Sequence, residues 1–159
     1  MEKEAVSNSS SIIYIAKLNI FNLAKNIFSK IILPKAVVEE LFEKNFPENE
    51  IIKSELNKFL EERDVKVFKE LPLDEGEKAA ISLCLEKNIR IFLSDDKKAR
   101  KTAEILSIKV VGTVGIILEN LRRNNITKQE AKKILQLLLQ HSYCLSTDTY
   151  AKILELIES

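Results

Sequence analysis

Ile91-Phe92-Leu93-Ser94-Asp95-Asp96-Lys97-Lys98-Ala99-Arg100 is the stretch whose reading decides the fold. A short apolar run meets a serine and two adjacent acids, and a stretch of helical character begins at once. A strand that is apolar throughout must be covered on both faces, the situation of a parallel sheet between helices. Outward from this stretch, β-rich runs fall at Ala5–Ser7, Lys30–Leu33, Val65–Phe68, Arg90–Ser94 and Lys109–Val111. Between them lie helical stretches at Ser11–Phe28 (two helices), Pro34–Lys44, Asn49–Arg63, Asp74–Lys87 and Asp96–Leu106. Val114–Asn124, Thr127–Gln140 and Thr147–Ile157 are helical after the last strand. Strand–helix alternation of this kind predicts an α/β fold with a mostly parallel sheet. Pro34 suits a first helical position. Asp74 with Glu77, and Thr127 with Glu130, fit capping boxes.

Composition narrows the function classes. The chain has 159 residues, 45% of them hydrophobic, enough for one real core. Its 25 basic residues nearly cancel 24 acidic ones, so nucleic acid would have to be bound by a local patch rather than by bulk charge. Cys84, Cys144 and His141 form no zinc motif, and both thiols are expected to be reduced. No apolar run approaches the length of a membrane span. Met1-Glu2-Lys3-Glu4 does not read as a signal peptide, and a cytoplasmic protein is expected.

Ligands of open α/β sheets sit beyond the carboxyl ends of the strands. There this chain places Asn8-Ser9-Ser10-Ser11, Ser94-Asp95-Asp96 and Gly112-Thr113-Val114-Gly115. Glu77 joins them from a helix: it shares a face with Ala80, Ile81 and Cys84, so it heads an apolar stripe where an unpaired charge is costly. Glu77 could also serve only as a cap of its own helix, and one of Asp95 and Asp96 could cap the next. The helix wheel does not choose between Glu39 and Glu40, which both flank the stripe.

Five runs, in order, carry a resemblance: Val6-Ser7-Asn8-Ser9-Ser10-Ser11, Leu33-Pro34-Lys35-Ala36-Val37-Val38-Glu39-Glu40-Leu41, Leu73-Asp74-Glu75-Gly76-Glu77-Lys78-Ala79-Ala80-Ile81, Phe92-Leu93-Ser94-Asp95-Asp96-Lys97-Lys98-Ala99-Arg100 and Val111-Gly112-Thr113-Val114-Gly115. Together they resemble the PIN-domain family, in a branch related to VapC-type toxins. The resemblance implies a three-layer α/β/α sandwich over residues 1–125, with residues 126–159 as a helical extension packed on the same domain. It implies a metal-dependent ribonuclease of the kind that serves as the toxin of a toxin–antitoxin pair, using Mg²⁺ or Mn²⁺, with RNA as substrate, an antitoxin protein as partner and a homodimer as assembly.

Carried over position by position, the resemblance gives an acidic pocket of Asn8, Glu40, Glu77 and Asp96 with Asp95 beside it. The preference for Glu40 over Glu39 rests on Leu41 and the family pattern. Asp96 and Glu77 would ligate the metal, Glu40 would orient a water, and Asn8 would position a ligand water or the phosphate. Ser9, Ser94 and Thr113 would hold acids or phosphate oxygens, and Lys97, Lys98, Arg100 and Lys101 would contact the RNA backbone. Asn8 departs from the family, where aspartate is usual. An amide oxygen brings no charge, so a hard cation is held less well. The alternative is therefore a degenerate domain that binds RNA or a protein without cutting. A phospho-acceptor signalling domain fits less well, because its acid pair follows the first strand.

Overall fold

The computed structural model describes residues 3–159. Five strands, β1 (Lys3–Ser7), β2 (Phe28–Pro34), β3 (Leu60–Arg63), β4 (Ile91–Leu93) and β5 (Lys109–Val111), form one sheet in the order β3-β2-β1-β4-β5. Every pairing is parallel. The helices are α1 (Ser9–Lys17), α2 (Phe21–Lys25), α3 (Lys35–Leu41), α4 (Glu48–Glu55), α5 (Glu75–Lys87), α6 (Lys97–Ile105), α7 (Thr113–Arg122), α8 (Lys128–Gln140) and α9 (Thr147–Glu158).

Alternation along the strands sorts the core into two layers. Val6, Ile32 and Phe92 point to the face covered by α5 and α6, among Ala80, Ile81, Ala99 and Ala103. Ala5, Ile31, Leu33 and Leu93 point to the other face, among residues of α1, α2, α7, α8 and α9. Phe92 is fully buried in the first layer. Its loss to alanine should cost about 3–5 kcal/mol, transfer and cavity terms together. The α8–α9 segment contributes Ala131, Leu135, Leu138, Ile153 and Ile157 to the second layer, so the helical tail is packed into the domain.

The third strand corrects the sequence reading. Val65–Phe68 is not a strand, and the strand lies at Leu60–Arg63, within the expected helix Asn49–Arg63. That helix ends at Glu55, and Asn57 takes a left-handed conformation (φ 63°) that turns the chain into the sheet. Leu-Glu-Glu-Arg has helical composition, but β3 is an edge strand, where charged side chains are favoured because they discourage further pairing. The apolar run Val65–Phe68 is instead a surface segment: Glu86 accepts the N–H groups of Lys66 and Val67, and the side chains of Val67 and Phe68 stay exposed.

Candidate active site

The strand order places the switch point between β1 and β4, where connections depart in opposite directions. Two chain turns meet there. The Asn8 N–H donates to the Leu93 carbonyl (3.2 Å). Asn8 is buried at the N-cap of α1, with Oδ1 accepting from the Ser11 N–H and the Ser10 hydroxyl (both 3.3 Å). Its Nδ2 donates to Ser94 Oγ at 3.0 Å, and the same Oγ accepts the Asp96 N–H at 3.2 Å. Asp96 caps α6, its Oδ2 accepting the Ala99 N–H at 2.8 Å.

Glu77 approaches Asp96 from α5. Asp74 caps that helix by accepting the Glu77 N–H at 2.8 Å, yet the Glu77 carboxyl does not return the bond as a capping box would. It faces Asp74 and Asp96, whose charges act on it. Partial burial first, then these two carboxylates, push the Glu77 carboxyl up to about 7. Two like charges about 5 Å apart at an effective dielectric of about 20 repel by roughly 3 kcal/mol, so a shared proton or a cation is favoured between them.

Glu40 closes the circle. The Ser9 hydroxyl donates to Glu40 Oε2 at 3.0 Å. The other oxygen lies against Gly76, where any Cβ would collide with Glu40 Oε1, so only glycine lets the carboxylate approach the residue preceding Glu77. Burial raises the Glu40 carboxyl, the Ser9 bond opposes this, and Asp74 and Glu43 add to the rise. Asn8, Ser94, Asp96, Glu77, Gly76, Glu40 and Ser9 thus form a ring of successive contacts at the carboxyl ends of the strands. Of the four residues, Glu77 faces Asp96, Asn8 joins the Asp96 turn through Ser94, and Glu40 is linked to them through Ser9 and Gly76.

Asp95 does not join them. Its Oδ2 accepts the hydroxyls of Ser11 (2.9 Å) and Thr113 (2.7 Å), and its Oδ1 accepts the Thr113 N–H (2.8 Å) and the Tyr143 hydroxyl (2.5 Å). Four donors match the lone pairs of a carboxylate, which leaves it a structural anchor for α1, α7 and the α8–α9 loop. Tyr143 also packs edge-on against Tyr14, with ring centroids 5.1 Å apart. Ser9, Ser94 and Thr113 all hold a site acid or the loop that carries one. Lys97, Lys98 and Lys101 are exposed on α6, while Arg100 reaches over Gly112 towards the β5 edge. Sequence reasoning read Asp74 only as a cap and missed it as a charge neighbour of Glu77. Tyr143, 48 positions from Asp95, gave no signal at all.

Among the described residues no three of His, Cys, Asp and Glu converge closely enough to cage a metal ion. The chemistry of the donors nevertheless fits Mg²⁺ or Mn²⁺: hard carboxylate oxygens, two of which crowd each other, suit ions that keep several waters and need only one or two carboxylates. No described helix is long and apolar enough to cross a membrane.

Comparison with known proteins bears on the fold and the family. No curated protein matches the chain. Among solved structures it is similar to a PilT N-terminus domain protein from the hyperthermophilic archaeon Sulfolobus solfataricus P2, with a TM-score of 0.59 over 74% of this chain and 93% of that one, at 18% identity. At that identity the likeness speaks for the fold. The family model DUF3368, described as a PIN domain, matches residues 4–159, which takes in α8 and α9 as well as the sheet. The chain therefore belongs to the PIN-domain family, whose members are generally nucleases.

Proposed function

We propose that the protein is a divalent-metal-dependent ribonuclease that hydrolyses RNA phosphodiesters at the acidic ring. The observation that carries this reading is the Glu77–Asp96 pair, in which the Glu77 carboxyl is raised to about 7 by burial and by Asp74 and Asp96. A doubly positive ion relieves the repulsion that a proton otherwise relieves. Glu77 and Asp96 would hold Mg²⁺ or Mn²⁺, which when bound supplies charge for the phosphoryl oxygens and activates water at neutral pH. Glu40, kept above the usual carboxylate range by burial and steadied by Ser9, is suited to accept a proton from the attacking water. Ser94 ties the Asp96 backbone to Asn8 and so fixes the turn on which the aspartate stands. The test is cleavage of single-stranded RNA with Mn²⁺, comparing the parent with Asp96→Asn and Glu77→Gln. Each variant should lose about 10²-fold or more. Undiminished cleavage by Asp96→Asn rejects the site.

A second reading, binding without cleavage, is favoured by Asn8, whose amide is engaged by Ser10, Ser11 and Ser94 and brings no charge. Activity gained in Asn8→Asp from an inactive parent selects this reading. The toxin role finds support in the open groove of about 480 Å³ beside the ring, lined by Glu39, Glu40, Glu43, Asp74 and Glu75, which suits a basic segment of an inhibitory partner.

A further inference from the structure

We propose that single-stranded RNA reaches the ring from one side only, along α6 and over the β5 edge, with phosphates on Arg100 and Lys109 and bases in the cavity between β5, α7 and α9. The proposal rests on the RNA reading above and adds where the strand lies.

The two flanks of the ring differ in charge. On the α3–α5 side, five carboxylates line the open groove, and Lys78, close by, is paired with Glu75 at 3.0 Å. A strand carrying a negative charge on every nucleotide is repelled there. On the other side, α6 exposes Lys97, Lys98 and Lys101 directly after Asp96. Beyond them opens a cavity of about 670 Å³. Its walls include Val110, Val114 and Leu145, and both Arg100 and Lys109 stand at it. Arg122 and Arg123 also line it, but both guanidinium groups are held by the one carboxylate of Glu119, which leaves them less free to move to a phosphate. Arg100 and Lys109 make no ion pair among the described residues.

Arg100 belongs to α6, on one face of the sheet, and reaches the cavity on the other face because Gly112 has no side chain. A Cβ there would stand 2.8 Å from Arg100 Nη1 and 2.8 Å from Asp95 Oδ1. The upper end of the cavity, at Gly112 and Tyr143, is therefore one residue from Asp96. From Gly112 to Lys109 is three residues of strand, about 10 Å. That length spans about three stacked nucleotides at roughly 3.4 Å each. Cations at both ends of a trough of mixed polar and apolar lining, with a tyrosine ring on its wall, match the recurrent pattern for unpaired strands, in which the backbone is tracked by charge and the bases rest on apolar or aromatic surface.

The experiment is fluorescence anisotropy of a labelled oligouridylate of about 12 nucleotides, in EDTA so that nothing is cut, across a salt series. The chains compared are the parent, Arg100→Gln, Lys109→Gln and the double variant Glu39→Gln/Glu43→Gln. Arg100→Gln and Lys109→Gln should each bind about fivefold more weakly and lower the salt slope by about 0.7. The Glu39→Gln/Glu43→Gln protein should bind at least as well as the parent. Lys109 is exposed, so its variant tests the idea even if Arg100→Gln unfolds. Parental affinity and slope in Lys109→Gln, no binding by the parent, or RNA-free binding of polyglutamate that Lys109→Gln abolishes would each overturn the proposal. Cleavage with Mn²⁺ is measured in parallel. A parent that cuts while Lys109→Gln binds normally removes the path and leaves the ribonuclease reading, whereas a parent that binds with the expected slope but never cuts does the reverse.

Discussion

Asp95 and Asp96 are neighbours in sequence, yet their side chains meet opposite conditions. Asp95 turns towards α7 and the α8–α9 loop, and four donors converge on it. Asp96 turns towards α5, accepts the Ala99 N–H, and faces Glu77. The first aspartate is satisfied by the protein alone. The second stands in a group of like charges that the protein leaves in tension. Adjacent residues leaving a strand end point to different sides, so a single turn builds an anchor on one side and a cation-seeking site on the other. Such separation agrees with the general trade in which strain at a site is held by well-satisfied surroundings.

The sharpest way to break this comparison is to remove each carboxylate in turn. Asp95→Ala strands four donors, some of them buried, and should cost about 3 kcal/mol of stability. Asp96→Ala removes one helix cap but also one repulsion, and should cost under about 1 kcal/mol. Chemical denaturation of both variants decides it; equal losses would mean that the two aspartates are not differently employed. Tyr143→Phe, which removes one of the four donors to Asp95, should cost about 1–2 kcal/mol by the same measurement.

Smaller, but more specific, is the pH dependence of Glu77. Its folded-state carboxyl is raised to about 7, above its ordinary 4.5. A raised carboxyl destabilises the folded state above its folded pKa, and that cost disappears below its unfolded pKa. Glu77→Gln should therefore stabilise the protein at pH 8, by about 1 kcal/mol after discounting for solvent around this half-exposed group, and leave it unchanged near pH 4.5. Thermal melts at the two pH values check the sign; a stabilisation present only at the acidic value would contradict it. Asn8→Asp adds a buried carboxylate to the ring and is read through the metal rather than through stability. It should tighten Mn²⁺ binding about tenfold, as calorimetric titration would show.

How far the sequence speaks follows from the range of each interaction. Asn8, Glu77 and Asp96 were legible because each stands at a position that topology sends to the same end of a parallel sheet. Glu40 needed the family pattern, since the helix wheel leaves Glu39 equally placed, and the contact with Gly76 that singles it out is tertiary. β3 was misread because an edge strand that is charged for protection has the composition of a helix. The division of labour between Asp95 and Asp96 was not legible either, because the donors that claim Asp95 come from Ser11, Thr113 and Tyr143, far away in the chain.

On the proposed reading, Glu77 and Asp96 together prefer a divalent cation to a proton. The most direct test of this preference is a thermal melt at pH 8 with and without Mn²⁺, on the parent and on Glu77→Gln/Asp96→Asn. Mn²⁺ at about 100 times its dissociation constant should stabilise the parent by about 2.7 kcal/mol, several degrees in Tm, and leave the double variant unmoved. Equal shifts in the two proteins, or none in the parent at millimolar Mn²⁺, would contradict it.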